Sequence, residues 1–314
     1  MSTGPYGGRM APGSHDHGAA TTDRRRLVVA LLITAAVLVV EVVGALVSGS
    51  LALLADAGHM TSDLLGLGIA LVATLVAARP ASDRHTFGFQ RGEVLGALVN
   101  GLILSVVAVY VAVQGVQRLL APEGPEIDPR VMLIAAGLGL VANVAALLVL
   151  RGGAERSINL RGAYLEVLGD AFGSVATIVA GIVIALTGFG RADAIASLVI
   201  AALIVPRAVV LLRDVVRVLT ESTPVGTEPE RIREHLLETP GVTAVHDVHV
   251  WAITSGSPVF TAHVVVAQDV FREGRTGELL DRLAGCLDDH FDVEHSTFQL
   301  EPAEHAGHEH RHHV

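Results

Sequence analysis

His59 and Asp63 stand four residues apart, and Glu166 and Asp170 repeat that spacing. Four residues is little more than one helical turn, so each pair shares one face of a helix. Brought together, one imidazole and three carboxylates would hold a divalent first-row cation in tetrahedral fashion. Asp56, three residues before His59, is on the same side of its helix. A structural role, as a cap or packing contact, is expected for it ahead of that of an outer-mouth ligand.

The elements that carry these residues are apolar. Of 314 residues, 51% are hydrophobic and only 17% charged, with 4% aromatic. The charged share is well below the roughly 25% usual in soluble domains, which excludes a disordered chain, a disulfide scaffold and an ordinary soluble enzyme. About 20 apolar residues cross a bilayer core. Six blocks qualify: Leu27–Val47, Leu51–Ala78, Val94–Leu119, Val131–Leu150, Ala163–Thr187 and Ala192–Leu212. The first pair lies in the second block and the other in the fifth. At a 1.5 Å rise, Asp63 is about 18 Å into its block and Asp170 about 14 Å beyond Arg161, so both fall near mid-membrane on oppositely running helices.

An ionisable side chain in a span is costly and calls for a partner or a task. Ion pairing between helices is the structural alternative to ion binding. It is weakened here by the expectation that no arginine lies at that depth to neutralise three carboxylates. Asn100, Gln114 and Asn143 read as interhelical hydrogen-bonding groups, and Glu41 as a candidate lining of the outer pathway. Three ionised carboxylates around an empty point repel one another in a low-dielectric setting, so the empty site is expected to hold protons. A metal requires deprotonated ligands and expels those protons. Competition of metal and proton for one alternating site is the minimal machinery of an antiporter.

Arginine distribution orients the spans. Arg24–Arg26, Arg79, Arg84, Arg91, Arg151, Arg156, Arg161, Arg213 and Arg217 gather on one side, against Arg118, Arg130 and Arg191 on the other. Both termini are therefore expected in the cytoplasm. The Arg-only, Ala/Val/Gly-rich composition points to a bacterium, with the spans in its plasma (inner) membrane. The expected organisation is a disordered tail over 1–23, spans over 24–213, a soluble domain over 214–301 and a His-rich tail over 302–314. In the soluble domain the patterns give a helix at Pro229–Glu238, strands at Val242–Ile253 and Val259–Gln268, a helix at Thr276–Phe291 and a strand at Val293–Leu300. The fold class is an α-helical membrane protein with six transmembrane helices followed by an αββαβ α+β domain. The formal charge of −10 argues against a nucleic-acid partner, and the single Cys286 excludes an internal disulfide.

The stretch Leu54–Asp63 is similar to the second-span signature of the cation diffusion facilitator family, and Arg161–Ser174 resembles its fifth-span signature. The resemblance covers nearly the whole chain. It implies a homodimeric exporter of Zn2+ and similar ions driven by proton influx, with His59, Asp63, Glu166 and Asp170 as transport ligands and the lipid bilayer as surroundings. The zinc pattern often has His where this chain has Glu166. A third carboxylate favours oxygen-preferring ions more than His would, so Co2+, Cd2+, Fe2+ and Mn2+ stand behind Zn2+. Some members bind metal in the loop after span two. Here only His85 is in place, between Ser82 and Phe89, and no tight site is expected there.

The resemblance also implies a metallochaperone-like cytoplasmic domain that binds metal and stabilises the dimer. His246, His263 and His295 are carried over as its ligands, with His249 as a weaker addition, on three strands able to converge. The alternative is solvent-facing strand histidines, or His249 packed with Trp251. His15, His17 and the run His305–His313 read as tails that raise local metal concentration, or as solubilising segments. Two rival functions compete with this reading. An intramembrane aspartyl-type hydrolase using Asp63 and Asp170 leaves His59 and Glu166 unexplained. A proton-coupled exporter of organic cations wants more aromatic lining than 4% supplies.

Overall fold

The computed structural model describes residues 17–77, 79, 81–122, 125–154, 158–254, 256–291, 293 and 295–306. Six long helices come first: α1 (His17–Ser48), α2 (Leu51–Ala77), α3 (Arg91–Leu120), α4 (Pro129–Ala154), α5 (Ile158–Thr187) and α6 (Arg191–Leu219). Then follow α7 (Pro229–Leu237), β1 (Val242–Ala252), β2 (Pro258–Val266), α8 (Gln268–Arg272), α9 (Thr276–Phe291), β3 (His295–Glu301) and α10 (Ala303–Ala306). Among the described residues, Val28–Ser48, Arg91–Leu120, Pro129–Arg151, Arg161–Thr187 and Arg191–Leu219 are long and apolar enough to cross a membrane. Helix α2, with 27 residues, is about 40 Å long at 1.5 Å per residue, long enough to span, and carries Asp56, His59 and Asp63. Leu46, Val106 and Leu186 are exposed along these helices, as a lipid-facing surface requires. The first helix reaches into the stretch 1–23. Helix α1 begins at His17, since Ala19 and Ala20 favour helix and the apolar span behind them supplies the nucleus. Residues 1–16 lie outside the described residues.

The chain divides into two units, residues 1–61 with 107–202 and residues 62–106 with 203–314. In the first, α4 packs against both α5 and α1. Gly44 permits the close approach of α1 to α4, because a Cβ there would collide with Ala135. Ala30, Ala146, Leu150 and Val167 form a buried cluster across α1, α4 and α5. Helix α2 starts on a side-chain cap supplied by α6. The fully buried Asp193 carboxylate accepts hydrogen bonds from Ser50 Oγ at 2.6 Å, Leu51 N at 2.7 Å and Ala52 N at 3.1 Å. Those amides are orphan donors of a helix N-terminus, and Arg118 adds a contact to Asp193 at 3.4 Å. Asn143 Nδ2 donates to Ser174 Oγ at 3.4 Å, joining α4 to α5.

In the second unit, Ser62 Oγ donates to Asn100 Oδ1 at 2.9 Å, the interhelical role expected of Asn100. Its C-terminal part is a two-layer α+β domain. β1 pairs antiparallel with β2, and β2 pairs parallel with β3. One sheet face is covered by α7 and α9, whose Ile232, Leu236, Leu279, Leu283 and Leu287 meet Val245, Val250, Phe260, Ala262 and Val264 in a buried core. The αββαβ order holds, with the short α8 and α10 added. β1 carries a bulge: its register shifts between His246 and His249, and Asp247 has φ 52°. Buried positions are odd before the bulge (Val245) and even after it (Val250, Ala252). The extra residue reverses the inside–outside alternation, so His246 and His249 share the face away from the core.

Candidate metal centres

In the first unit His59 and Asp170 face each other across α2 and α5. His59 Nε2 lies 3.7 Å from Asp170 Oδ1, and both side chains are buried. That separation exceeds a hydrogen bond. It is close to the ~3.4 Å between two ligand atoms that each bind a tetrahedral Zn2+ at about 2.0–2.1 Å. Glu166, one turn before Asp170 on α5, is half-buried. Two further acids lie buried in the same unit, Glu41 on α1 and Asp56 on α2. Glycines make room for them: a Cβ at Gly139 would stand 2.7 Å from Glu41 Oε1, and one at Gly173 would stand 2.9 Å from Asp56 Oδ1.

Asp63 follows His59 by one turn of α2 and is described with the second unit. There Arg207 Nη1 of α6 lies 3.8 Å from Asp63 Oδ2. This corrects the expectation that no arginine reaches the depth of the carboxylates. Arg207 stands 16 positions beyond Arg191 in the sixth block, about 24 Å along the helix, and its long side chain extends its reach further.

The second centre is on the open face of the sheet. His246 Nε2 and Glu301 Oε1 are 2.5 Å apart, and His263 Nδ1 lies 3.9 Å from Glu301 Oε2. Ligand atoms of His246, His263 and Glu301 all fall within 4.8 Å of one another. The register explains it. His246 is paired with His263 and His263 with Gln299, while Glu301 is two residues further along the same face of β3. Glu301 is 2% exposed, and a carboxylate buried that far needs compensating positive charge or donors. Two imidazoles and a carboxylate are a donor set suited to Zn2+. His249 Nε2 lies 3.2 Å from Asp247 Oδ1, and Asp247 Oδ2 lies 3.9 Å from His263 Nε2, so His249 borders the cluster through Asp247.

His295 is not brought to this cluster, which corrects the expected set. It is paired with Val259 at the opposite end of β3, about 13 Å from Gln299 at 3.3 Å per residue, and its ring packs edge-on against Phe87. In the loop after α2, His85 lies against Phe89 with ring centroids 4.4 Å apart. Of the C-terminal run only His305 is described, 4.0 Å from Glu301 Oε2. His15, His308, His310, His312 and His313 lie outside the described residues.

Residues 27–220 match the family model of the cation efflux transmembrane domain, and residues 224–303 match that of the cation efflux protein cytoplasmic domain. The chain belongs to the cation efflux family. It is a multi-pass membrane transporter, an exporter of metal cations, and not an enzyme. The chain is 40% identical over 290 residues to the metal cation efflux system protein CzcD of Cupriavidus metallidurans, covering 92% of this chain and 90% of that protein. It is 38% identical to the zinc transporter ZitB of Escherichia coli K12, covering 96% and 99%. It is 34% identical to the cadmium, cobalt and zinc/H(+)-K(+) antiporter of Bacillus velezensis, covering 93% and 92%. The hydrolase and organic-cation readings gain no support from these relatives. Nor does the spacing His308-Glu309 to His312 in the tail, which matches a zinc-protease motif and lies outside the described residues.

Within this cation efflux chain, sequence reasoning missed Glu301 and Arg207. Glu301 follows Phe298 and Leu300 in strict alternation. That pattern put it on the outer face, but its nearness to His246 depends on the parallel register of β3. Arg207 interrupts an apolar block, which was the available signal.

Proposed function

We propose that the transported ion is Zn2+ first, ahead of Co2+, Cd2+, Fe2+ and Mn2+, and that protons move in exchange. His59, Asp63, Glu166 and Asp170 are the transport ligands in this reading. The observation that carries it is the buried approach of His59 to Asp170 at 3.7 Å, with Asp63 and Glu166 each one helical turn from a member of that pair. The names of the relatives agree: zinc in all but one of the three, and protons with potassium in the antiporter.

The coupling follows from charge. Ligand carboxylates in a low-dielectric setting are not left as bare neighbouring anions. Protons hold them when the metal is absent, and Zn2+ displaces those protons as it binds. Alternation of the site between the two faces then converts proton entry into metal exit. The arginine-rich side is the cytoplasmic side of a bacterial inner membrane, so both termini are cytoplasmic. His246, His263 and Glu301, with His249 alongside, form a regulatory metal site in a cytoplasmic domain that pairs two copies of the chain as a homodimer. The His-rich tails raise metal concentration near the entrance.

Purified protein in vesicles with a trapped zinc dye and a trapped pH dye tests this. Zinc accumulation should be driven by a pH gradient and be accompanied by proton movement the other way. Zinc flux indifferent to the pH gradient would remove the proton assignment. A potassium gradient applied at uniform pH separates potassium from proton coupling.

A further inference from the structure

Arg207 lies inside the last apolar span, directly after Pro206, and α6 runs unbroken through both. Its guanidinium stays charged at any physiological pH. A permanent charge in a span is costly unless it is matched. The match is Asp63: Nη1 to Oδ2 is 3.8 Å, with the Asp63 side chain 19% exposed and that of Arg207 43%. The pair joins α6 to α2 within the second unit. Pro206 lacks an N–H, so one carbonyl a turn earlier loses its helical partner and the helix gains a place to flex. Arg207 is thus a long, mobile cation mounted beside a joint.

We propose that Arg207 is the resident counter-cation of the transport site. It holds the Asp63 carboxylate when the metal is absent, leaving the protons to Glu166 and Asp170, and yields it when a divalent ion binds. This rests on the reading of Asp63 as a transport ligand. Guanidinium and metal compete for the same carboxylate oxygens, so the free energy of the ion pair is subtracted from metal affinity. By reciprocity, the metal loosens Arg207 to the same degree. An exporter gains from this arrangement. A site of four strong ligands would hold its ion too long, and a competing internal cation re-forms its pair as the ion leaves. Arg207 is a positioning residue in this role and touches no metal itself.

The test uses full-length protein, in detergent for Zn2+ binding and in vesicles for flux. Arg207→Gln should lower both Kd and KM for Zn2+ about fivefold, the scale of a partly exposed ion pair, and also lower the maximal rate. Arg207→Lys, which keeps the charge but not the fork, should lower KM only about twofold. The visible spectrum of bound Co2+ should be unchanged in both, as the ligand set is intact. In an Asp63→Asn background, Arg207→Gln should leave affinity where it was. A KM that is unchanged or raised in folded Arg207→Gln overturns the proposal, as does an effect that persists in the Asp63→Asn background. If Arg207→Gln does not fold, Arg207→Lys carries the test, and a KM at or above the parent's overturns it. Failure of the parent to bind Zn2+ would instead refute the proposed function.

Discussion

The imidazole of His59 and the carboxylate of Asp170 approach to 3.7 Å from different helices, α2 and α5, and both are buried. Neither group is at home in an apolar span, and each is expected to be indispensable. Asp170→Asn keeps the shape and removes the charge, while His59→Ala removes the nitrogen ligand. Changes to groups that merely orient ligands cost 10–100-fold in metal affinity, so each of these ligand changes should cut Zn2+ flux in vesicles by at least about 100-fold. Residual flux above a tenth of the parent's would remove the residue from the ligand set.

Glu166 sets the hardness of the site in this reading. Replacing it by His trades an anionic oxygen for a neutral nitrogen, which suits Zn2+ and disfavours Mn2+. Glu166→His should therefore raise the Zn2+ to Mn2+ ratio of transport rates, measured side by side in one vesicle preparation. An unchanged ratio with an active protein would place Glu166 outside the first ligand sphere.

The sheet-face cluster makes opposite forecasts for two residues. Glu301→Gln removes the one carboxylate shared by His246 and His263, and should weaken metal binding by the cytoplasmic domain about 10–100-fold. His295→Ala should leave it unchanged, since His295 packs against Phe87 instead. Calorimetric titration of full-length protein carrying both His59→Ala and Asp170→Asn, to silence the membrane site, reads both. Equal losses from the two changes would contradict the register of β3 described above.

Asp193 is a structural acid. It accepts from Ser50 Oγ and from the Leu51 and Ala52 amides while fully buried. Asp193→Ala leaves these donors unsatisfied, at a cost of about 1–3 kcal/mol for each buried orphan. The variant should melt several degrees below the parent in detergent, with Zn2+ affinity retained in the fraction that stays folded.

How far the chain could be read from its residues depended on range. The pairs His59/Asp63 and Glu166/Asp170 needed only the pitch of a helix, and the spans only their length. The two helices and three strands of the soluble domain came from periods of 3.6 and 2. Contacts set by register over long separations were not legible. Arg207 and Asp63 are 144 positions apart, and no local pattern aims one at the other. Three histidines on three strands looked convergent. Because β3 runs parallel to β2, though, His295 opens the strand at one end and Glu301 closes it beside His246 at the other. Helix α8, five residues long, is too short to show a period at all.

The bulge at Asp247 makes β1 a strand of two opposed halves. Deleting that one residue would merge the halves: Val245 and Val250 would then stand four positions apart and stay inside, with His246 and His249 still outside. Straightening the strand with every residue kept would instead force a choice. With Val245 in its seat, His249 and Trp251 enter the oily layer beneath; with Val250 in its seat, His246 does, and leaves Glu301. The supernumerary residue is what lets one strand serve metal capture and folding at once.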